Sequence, residues 1–104
     1  MGRVKKRIIK QKFSSKKELI TIATYKLETA LNKLRHTHDG LKRKEASLFN
    51  LCVEAQMNKD QSRAIIYANE CSEIRKLTKL VTNSELTLEQ AILRMHTVLL
   101  KTSL

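Results

Sequence analysis

Ile20, Leu27, Leu34, Leu41, Leu48 and Ala55 recur at an unbroken interval of seven residues, and few folds are compatible with that spacing. A strand alternates every second residue, whereas a seven-residue apolar repeat marks one stripe along an α-helix. A second row lies three or four residues away: Ala23, Ala30 and Leu31, then His38 and Glu45, then Leu51 and Cys52. The two rows make a heptad seam with a polar middle. No proline interrupts it, and the chain has only two glycines. Asp39-Gly40 is a turn signal, yet Leu34, Leu41 and Leu48 keep phase across it. Gly40 is therefore read as a weak point inside one helix, costing about 1 kcal/mol relative to Ala.

Met57-Asn58-Lys59-Asp60 breaks the pattern, with Asn58 or Asp60 placed to cap a second helix. Apolar residues then resume at Ala64, Tyr67, Cys71, Ile74, Leu77, Val81, Leu88, Ile92, Met95 and Leu99. Thr82-Asn83-Ser84-Glu85 has capping-box spacing, but the phase from Ile74 through Val81 and Leu88 to Met95 is kept, so this helix is read as continuous. Ser15-Lys16-Lys17-Glu18 has the same spacing and is read as the start of helix 1.

The expected fold class is all-α: a long antiparallel two-helix hairpin. Helix 1 covers about 16–56, the turn 57–60 and helix 2 about 61–101, preceded by a basic N-terminal arm at 1–14. At ~1.5 Å per residue each helix is roughly 60 Å long, and so short a turn makes them antiparallel. Folding there pairs residues whose numbers sum to about 117. Leu48 then meets Ala68 or Cys71, Leu41 meets Ile74 and Leu77, Leu34 meets Val81, and Leu27 meets Ile92. Leu19, Ile22, Leu86, Leu93 and Leu100 fall outside the paired stripes, so a third segment or a neighbouring copy is expected to cover them.

A chain of 104 residues makes at most one small domain with a modest core. Four aromatic residues and no Trp suit helices better than sheets. The formal charge is +11, unevenly distributed: eight of the 21 basic residues and none of the ten acids lie in 1–17. The remaining 13 basic and ten acidic groups nearly balance, which points to an anionic partner met through the N-terminus. No apolar run reaches the ~18 residues of a membrane span, and none follows the arm as in a secretory signal. Met1-Gly2 lacks the later Ser or Thr of a myristoylation site, because position 6 is Lys. A cytoplasmic location is expected.

Catalytic and metal sites are not expected. In the hairpin register Cys71 lies ~9 Å beyond the point opposite Cys52, outside disulfide reach, so both cysteines are read as reduced core residues. His36 and His38 diverge on a helix, and His96 lies near the opposite end. No glycine-rich phosphate loop or Ser/His/Asp or Cys/His set converges. The chain is read as no enzyme and as needing no cofactor.

Along the arm, Met1, Val4 and Ile8 share one helical face, with Arg3, Arg7 and Lys10 opposite, and Ile9 and Phe13 widen the apolar side. Such a segment suits the interface of an anionic membrane. The candidate membrane-binding residues are Arg3, Lys5, Lys6, Arg7, Ile8, Ile9, Lys10, Lys12, Phe13, Lys16 and Lys17. Nucleic acid is disfavoured as a partner, since only Phe13 offers stacking and the body has no groove-reading motif. A basic helical nucleic-acid binder and a plain coiled-coil adaptor remain the alternatives.

Arg63-Ala64-Ile65-Ile66-Tyr67-Ala68-Asn69-Glu70-Cys71-Ser72-Glu73-Ile74-Arg75-Lys76-Leu77 and Leu86-Thr87-Leu88-Glu89-Gln90-Ala91-Ile92-Leu93-Arg94-Met95 resemble helix 2 of the ESCRT-III family, most closely its archaeal cell-division CdvB-type members. Leu48-Phe49 with Val53-Glu54-Ala55 resembles the family's end of helix 1. The resemblance covers roughly residues 18–100. It implies a subunit of membrane-bound polymers that remodel or constrict membranes in archaeal cell division or vesicle budding. The implied partners are further copies of itself or paralogues, an anionic lipid membrane, and a Vps4-type AAA ATPase that binds a C-terminal tail motif. The implied location is peripheral to the membrane at the division site.

Two departures qualify the resemblance. The chain stops at Leu104, without the later helices, the tail motif or the winged-helix region, so ATPase recruitment is not expected of these residues. Lys59-Asp60 stands where family members often have Gly-Asp, and a solvated turn residue is the simpler reading of Lys59. For the polymer contacts, the alternating charges of Arg63, Tyr67, Glu70, Glu73, Arg75 and Lys76 and the uncovered Leu86, Leu93 and Leu100 are the candidates. A solvated face with local i,i+3 and i,i+4 pairs is the plainer alternative for the charged set.

Overall fold

The computed structural model describes residues 2–104, with side chains described from Ser15 onward. It holds two helices, α1 (Gly2–Met57) and α2 (Gln61–Ser103), joined by a three-residue turn into the expected hairpin. α1 runs unbroken through Gly40, and α2 runs unbroken through Ser84. Helix 1 was expected to start at Ser15, but α1 is already helical from Gly2, so Ser15 and Glu18 lie in its interior. The residues before Ser15 are mostly Lys, Arg, Ile and Gln, with no proline or glycine after Gly2. Nothing there stops a helix from propagating past an optional cap. The side chains proposed to form the membrane arm, up to Phe13, lie outside the described residues.

The turn explains why the hairpin closes where it does. Lys59 N–H donates to the Gln56 carbonyl at 3.1 Å and Asp60 N–H to the Ala55 carbonyl at 2.8 Å. Lys59 sits at φ 58°, the left-handed conformation of the residue just past a helix end. This is a Schellman closure, which satisfies the last carbonyls of α1. Asp60 then starts α2: its carbonyl accepts from Ala64 N–H at 3.0 Å and its Oδ1 from Arg63 N–H at 3.2 Å. One residue thus completes the end of α1 and caps the start of α2.

The chain forms two compact units, Asn32–Leu86 around the turn and Met1–Leu31 with Thr87–Leu104. In the first, Ala55, Ala64, Cys71 and Ile74 are buried; in the second, Thr24, Leu31 and Ile92. No described side chain is completely enclosed, and the best-buried retain 5% exposure. A pair of helices can bury only one stripe of each, so the core is thin.

The expected α1 rows are the half-buried to buried ones, with two adjustments. Thr24 belongs to the seam, its hydroxyl satisfied by donating to the Ile20 carbonyl at 2.7 Å, whereas Leu51 is 38% exposed. On α2, Leu77 was expected in the seam but is 47% exposed, and Thr78 takes the place. Strict seven-residue counting from Cys71 gives Thr78, Glu85, Ile92 and Leu99, and all of these are shielded. The Thr78 hydroxyl reaches its own Ile74 carbonyl at 2.9 Å, which lets a polar residue sit at a seam position.

The register matches expectation for short side chains. Cys52 Sγ donates to the Ala64 carbonyl at 3.4 Å, and Cys71 Sγ to the Glu45 carbonyl at 3.8 Å, both pairs summing close to 117. Both cysteines are free. Longer side chains pair at larger sums. Helical side chains lean toward their own N-terminus, and in an antiparallel pair that lean carries the two tips past each other in opposite directions.

Candidate membrane-binding and subunit-contact surfaces

Of the candidate membrane-binding residues, Lys16 and Lys17 are described, and both are exposed on α1. Among the described residues, no helix is long and apolar enough to cross a membrane. No group of three or more His, Cys, Asp or Glu among them is placed to hold a metal ion.

The charged candidates on α2 do not converge on one face. Arg63, Tyr67 and Glu70, at i, i+4 and i+7, share one flank of the helix. Arg63 pairs locally with Asp60 at 3.5 Å. Arg63 and Tyr67 line a shallow hollow of about 200 Å³ with Leu51, Glu54, Ala55, Asn58 and Asp60. Tyr67 is half-buried at the seam. Arg75 lies on the other flank, where its Nε donates to Glu45 Oε1 at 2.7 Å. That bond, with the Glu45 charge adding to it, raises the Arg75 guanidinium above its ordinary value. Glu73 and Lys76 point outward and pair with each other at 3.2 Å. Arg75, Glu73 and Lys76 are thus engaged within the chain.

The apolar candidates behave differently. Leu86, Leu93 and Leu100 are 58%, 66% and 71% exposed and recur every seven residues on α2, one position past the seam row Glu85, Ile92 and Leu99. They form a second heptad stripe that the described residues leave exposed. In the unit formed by 1–31 and 87–104, Leu19, Ile22 and Tyr25 on α1 are also more than half exposed. Scattered surface leucines are ordinary, but a periodic row beside an already closed seam is the pattern of a helix that packs a further partner.

Sequence reasoning placed His38 and Glu45 in the seam but missed what faces them. His38 Nδ1 lies 2.8 Å from Glu85 Oε1, with side-chain exposures of 21% and 13%. Glu45 meets Arg75, and Glu28 meets His96 at 3.6 Å. The missing signal was the strict heptad count on α2, which reaches Glu85 from Cys71 and Thr78 even though neither Thr78 nor Glu85 is apolar.

Comparison with known proteins supplies the context. The chain is 40% identical over 97 residues to Cell division protein B1 of Sulfolobus acidocaldarius, an alignment covering 93% of this chain and 45% of that protein. The chain belongs to the CdvB-type cell division family. It is also 33% identical over 79 residues to Cell division protein B of the same organism, covering 76% of this chain and 30% of that protein. The chain spans less than half the length of either CdvB-type relative. No family model and no solved structure matches it. The ESCRT-III resemblance of residues 63–77 thus sits within homology that extends over nearly the whole chain.

Proposed function

We propose that these residues form the core of an ESCRT-III-like subunit that polymerises on anionic membranes and remodels or constricts them during archaeal cell division. The observation that carries this reading is the second heptad stripe, Leu86, Leu93 and Leu100, exposed beside a seam that α1 and α2 have already closed. A lone hairpin leaves that stripe in water, and lateral packing of copies or paralogues buries it. The relatives' names support a role in division, and alignment to two different proteins of one organism supports co-polymerisation of paralogues.

The basic segment supplies the membrane contact in this proposal. Each Lys or Arg near an anionic bilayer contributes about 1 kcal/mol, so the eight within 3–17 bind weakly per subunit after the segment is ordered. Assembly then multiplies weak contacts into avidity. A Vps4-type ATPase, if it acts on the assembly, binds outside these residues.

Co-sedimentation with anionic and neutral liposomes tests the reading, using the chain with and without residues 1–14 and electron microscopy of the pellets. The expected result is arm-dependent pelleting with anionic vesicles only, and ordered filaments or sheets on them. Equal pelleting with and without 1–14 removes the arm from the mechanism. Displacement of the vesicles by duplex DNA favours nucleic acid as the partner instead.

A further inference from the structure

Among the described residues, Glu28–His96, His38–Glu85 and Glu45–Arg75 cross from α1 to α2, and the signs of these pairs alternate. Along α1 an acid, Glu28, is followed by a base, His38, and an acid, Glu45. Facing them on α2 are His96, Glu85 and Arg75. Each pair lies within one of the two compact units, the first in Met1–Leu31 with Thr87–Leu104 and the other two in Asn32–Leu86.

We infer that this alternation is a pairing code that makes the seam heterotypic. α1 accepts α2 and rejects a second copy of α1, and α2 rejects a second α2 in the same way. The apolar rows cannot make this distinction. Ile20, Leu27, Leu34, Leu41 and Leu48 on α1 resemble Ile74, Val81, Leu88, Ile92 and Met95 on α2, and such rows associate with many helices. The charges can. The order acid, base, acid reads the same from either end: a parallel second α1 sets each residue against its like, and an antiparallel one that sets Glu28 against Glu45 leaves His38 within about one helical turn of its counterpart. The order base, acid, base on α2 has the same property.

Burial sharpens the discrimination. Glu85 is only 13% exposed, and a carboxylate facing another carboxylate in so shielded a position is strongly disfavoured. His38 and His96 carry positive charge only when protonated. The three carboxylates and Arg75 maintain the rejection in either state. Specificity of this kind comes from the repulsive element as much as from the attractive one. Its consequence is that chains crowded together keep α1 on α2 rather than exchanging helices for like partners.

The test exchanges signs one helix at a time in the full chain. One variant carries Glu28→His, His38→Glu and Glu45→Arg; a second carries Arg75→Glu, Glu85→His and His96→Glu; a third carries all six. Thermal melting by circular dichroism and molar mass by light scattering are the readouts. Each half-exchanged chain is expected to melt several degrees below the parent. Their equimolar mixture is expected to form a 1:1 complex that neither forms alone, because the two α1 segments have become complementary. The six-fold variant is expected to recover the parent's melting point and mass. The inference is overturned if the half-exchanged chains melt like the parent, or if their mixture stays unassociated. Should both half-exchanged chains fail to fold, the six-fold chain decides: recovery supports the code, and failure to recover refutes it.

Discussion

Nδ1 of His38 donates to the carboxylate of Glu85 across the hairpin at 2.8 Å, at heptad positions that in an apolar seam would hold leucine. A shielded acid with one partner is costly to strand and inexpensive to replace together with that partner. His38→Leu alone leaves the Glu85 carboxylate unpaired and is expected to lower stability by about 1–3 kcal/mol. His38→Leu with Glu85→Leu is expected to be neutral or to stabilise by about 1 kcal/mol or more. A double-mutant cycle by chemical denaturation separates the two cases. A double variant as unstable as the single one would show that the pair is not the reason the single change is harmful.

The turn sets a second expectation. Lys59 holds φ 58°, where a side chain is strained and Gly is not. Lys59→Gly is expected to raise stability by about 0.5–1 kcal/mol, the relief being partly offset by the greater freedom of Gly in the unfolded chain. Lys59→Val places a β-branched residue in the same conformation and is expected to lower it. Asp60→Ala removes the acceptor for Arg63 N–H and is expected to cost about 1 kcal/mol. Urea titrations of the three variants are sufficient to rank them.

How much of this was legible beforehand follows from what seven-residue periodicity can carry. Leu34, Leu41 and Leu48 in phase across Gly40 announced one helix, and the gap at 57–60 announced the turn. Thr24, Thr78 and Glu85 were not legible as seam residues, because each is polar and becomes compatible with burial only through a specific bond: the Ile20 and Ile74 carbonyls for the threonines, and His38 for the glutamate. Leu77 was assigned to the seam for being apolar, but it sits one position before the row Cys71, Thr78, Glu85. The start of α1 was misplaced because Ser15 through Glu18 spells a cap, and a cap sequence permits a helix to begin without obliging it to. Leu86, Leu93 and Leu100, the apolar part of the proposed contact surface, were legible as a periodic row outside the seam, and they are exposed. Glu73 and Lys76 pair locally, as the i,i+3 alternative had it, whereas the reach of Arg75 to Glu45 across the hairpin was not legible from spacing.

Gly40 lies within α1 with room for a side chain: an added Cβ would meet only the Arg43 guanidinium, at 3.9 Å. Nothing in the structure requires a glycine there, and its backbone does not adopt a positive φ. Gly40→Ala is therefore expected to stabilise the hairpin by about 1 kcal/mol through helix propensity alone. A melting midpoint raised by a few degrees, with unchanged helicity at low temperature, is the expected reading. A lowered midpoint would mean that flexibility at this position is needed for the hairpin to close.

The exposed stripe gives the prediction most directly tied to function. Leu86, Leu93 and Leu100 contribute little to the fold of a single chain, since each is more than half exposed. Replacing all three with Ser is expected to cost dilute protein no more than about 0.5 kcal/mol of stability per site, as for ordinary surface changes. Assembly should respond differently. At an interface each leucine removed from water contributes about 1.5–3 kcal/mol, so losing three along one row is expected to abolish sedimentable polymer on anionic vesicles. Binding of single subunits through the basic segment should persist. Membrane recruitment and assembly would thereby be separated by one set of substitutions, read as vesicle pelleting at low protein concentration against filament formation by electron microscopy. Filaments that form as readily from the triple variant would remove this row from the subunit contact and shift attention to Leu19, Ile22 and Tyr25.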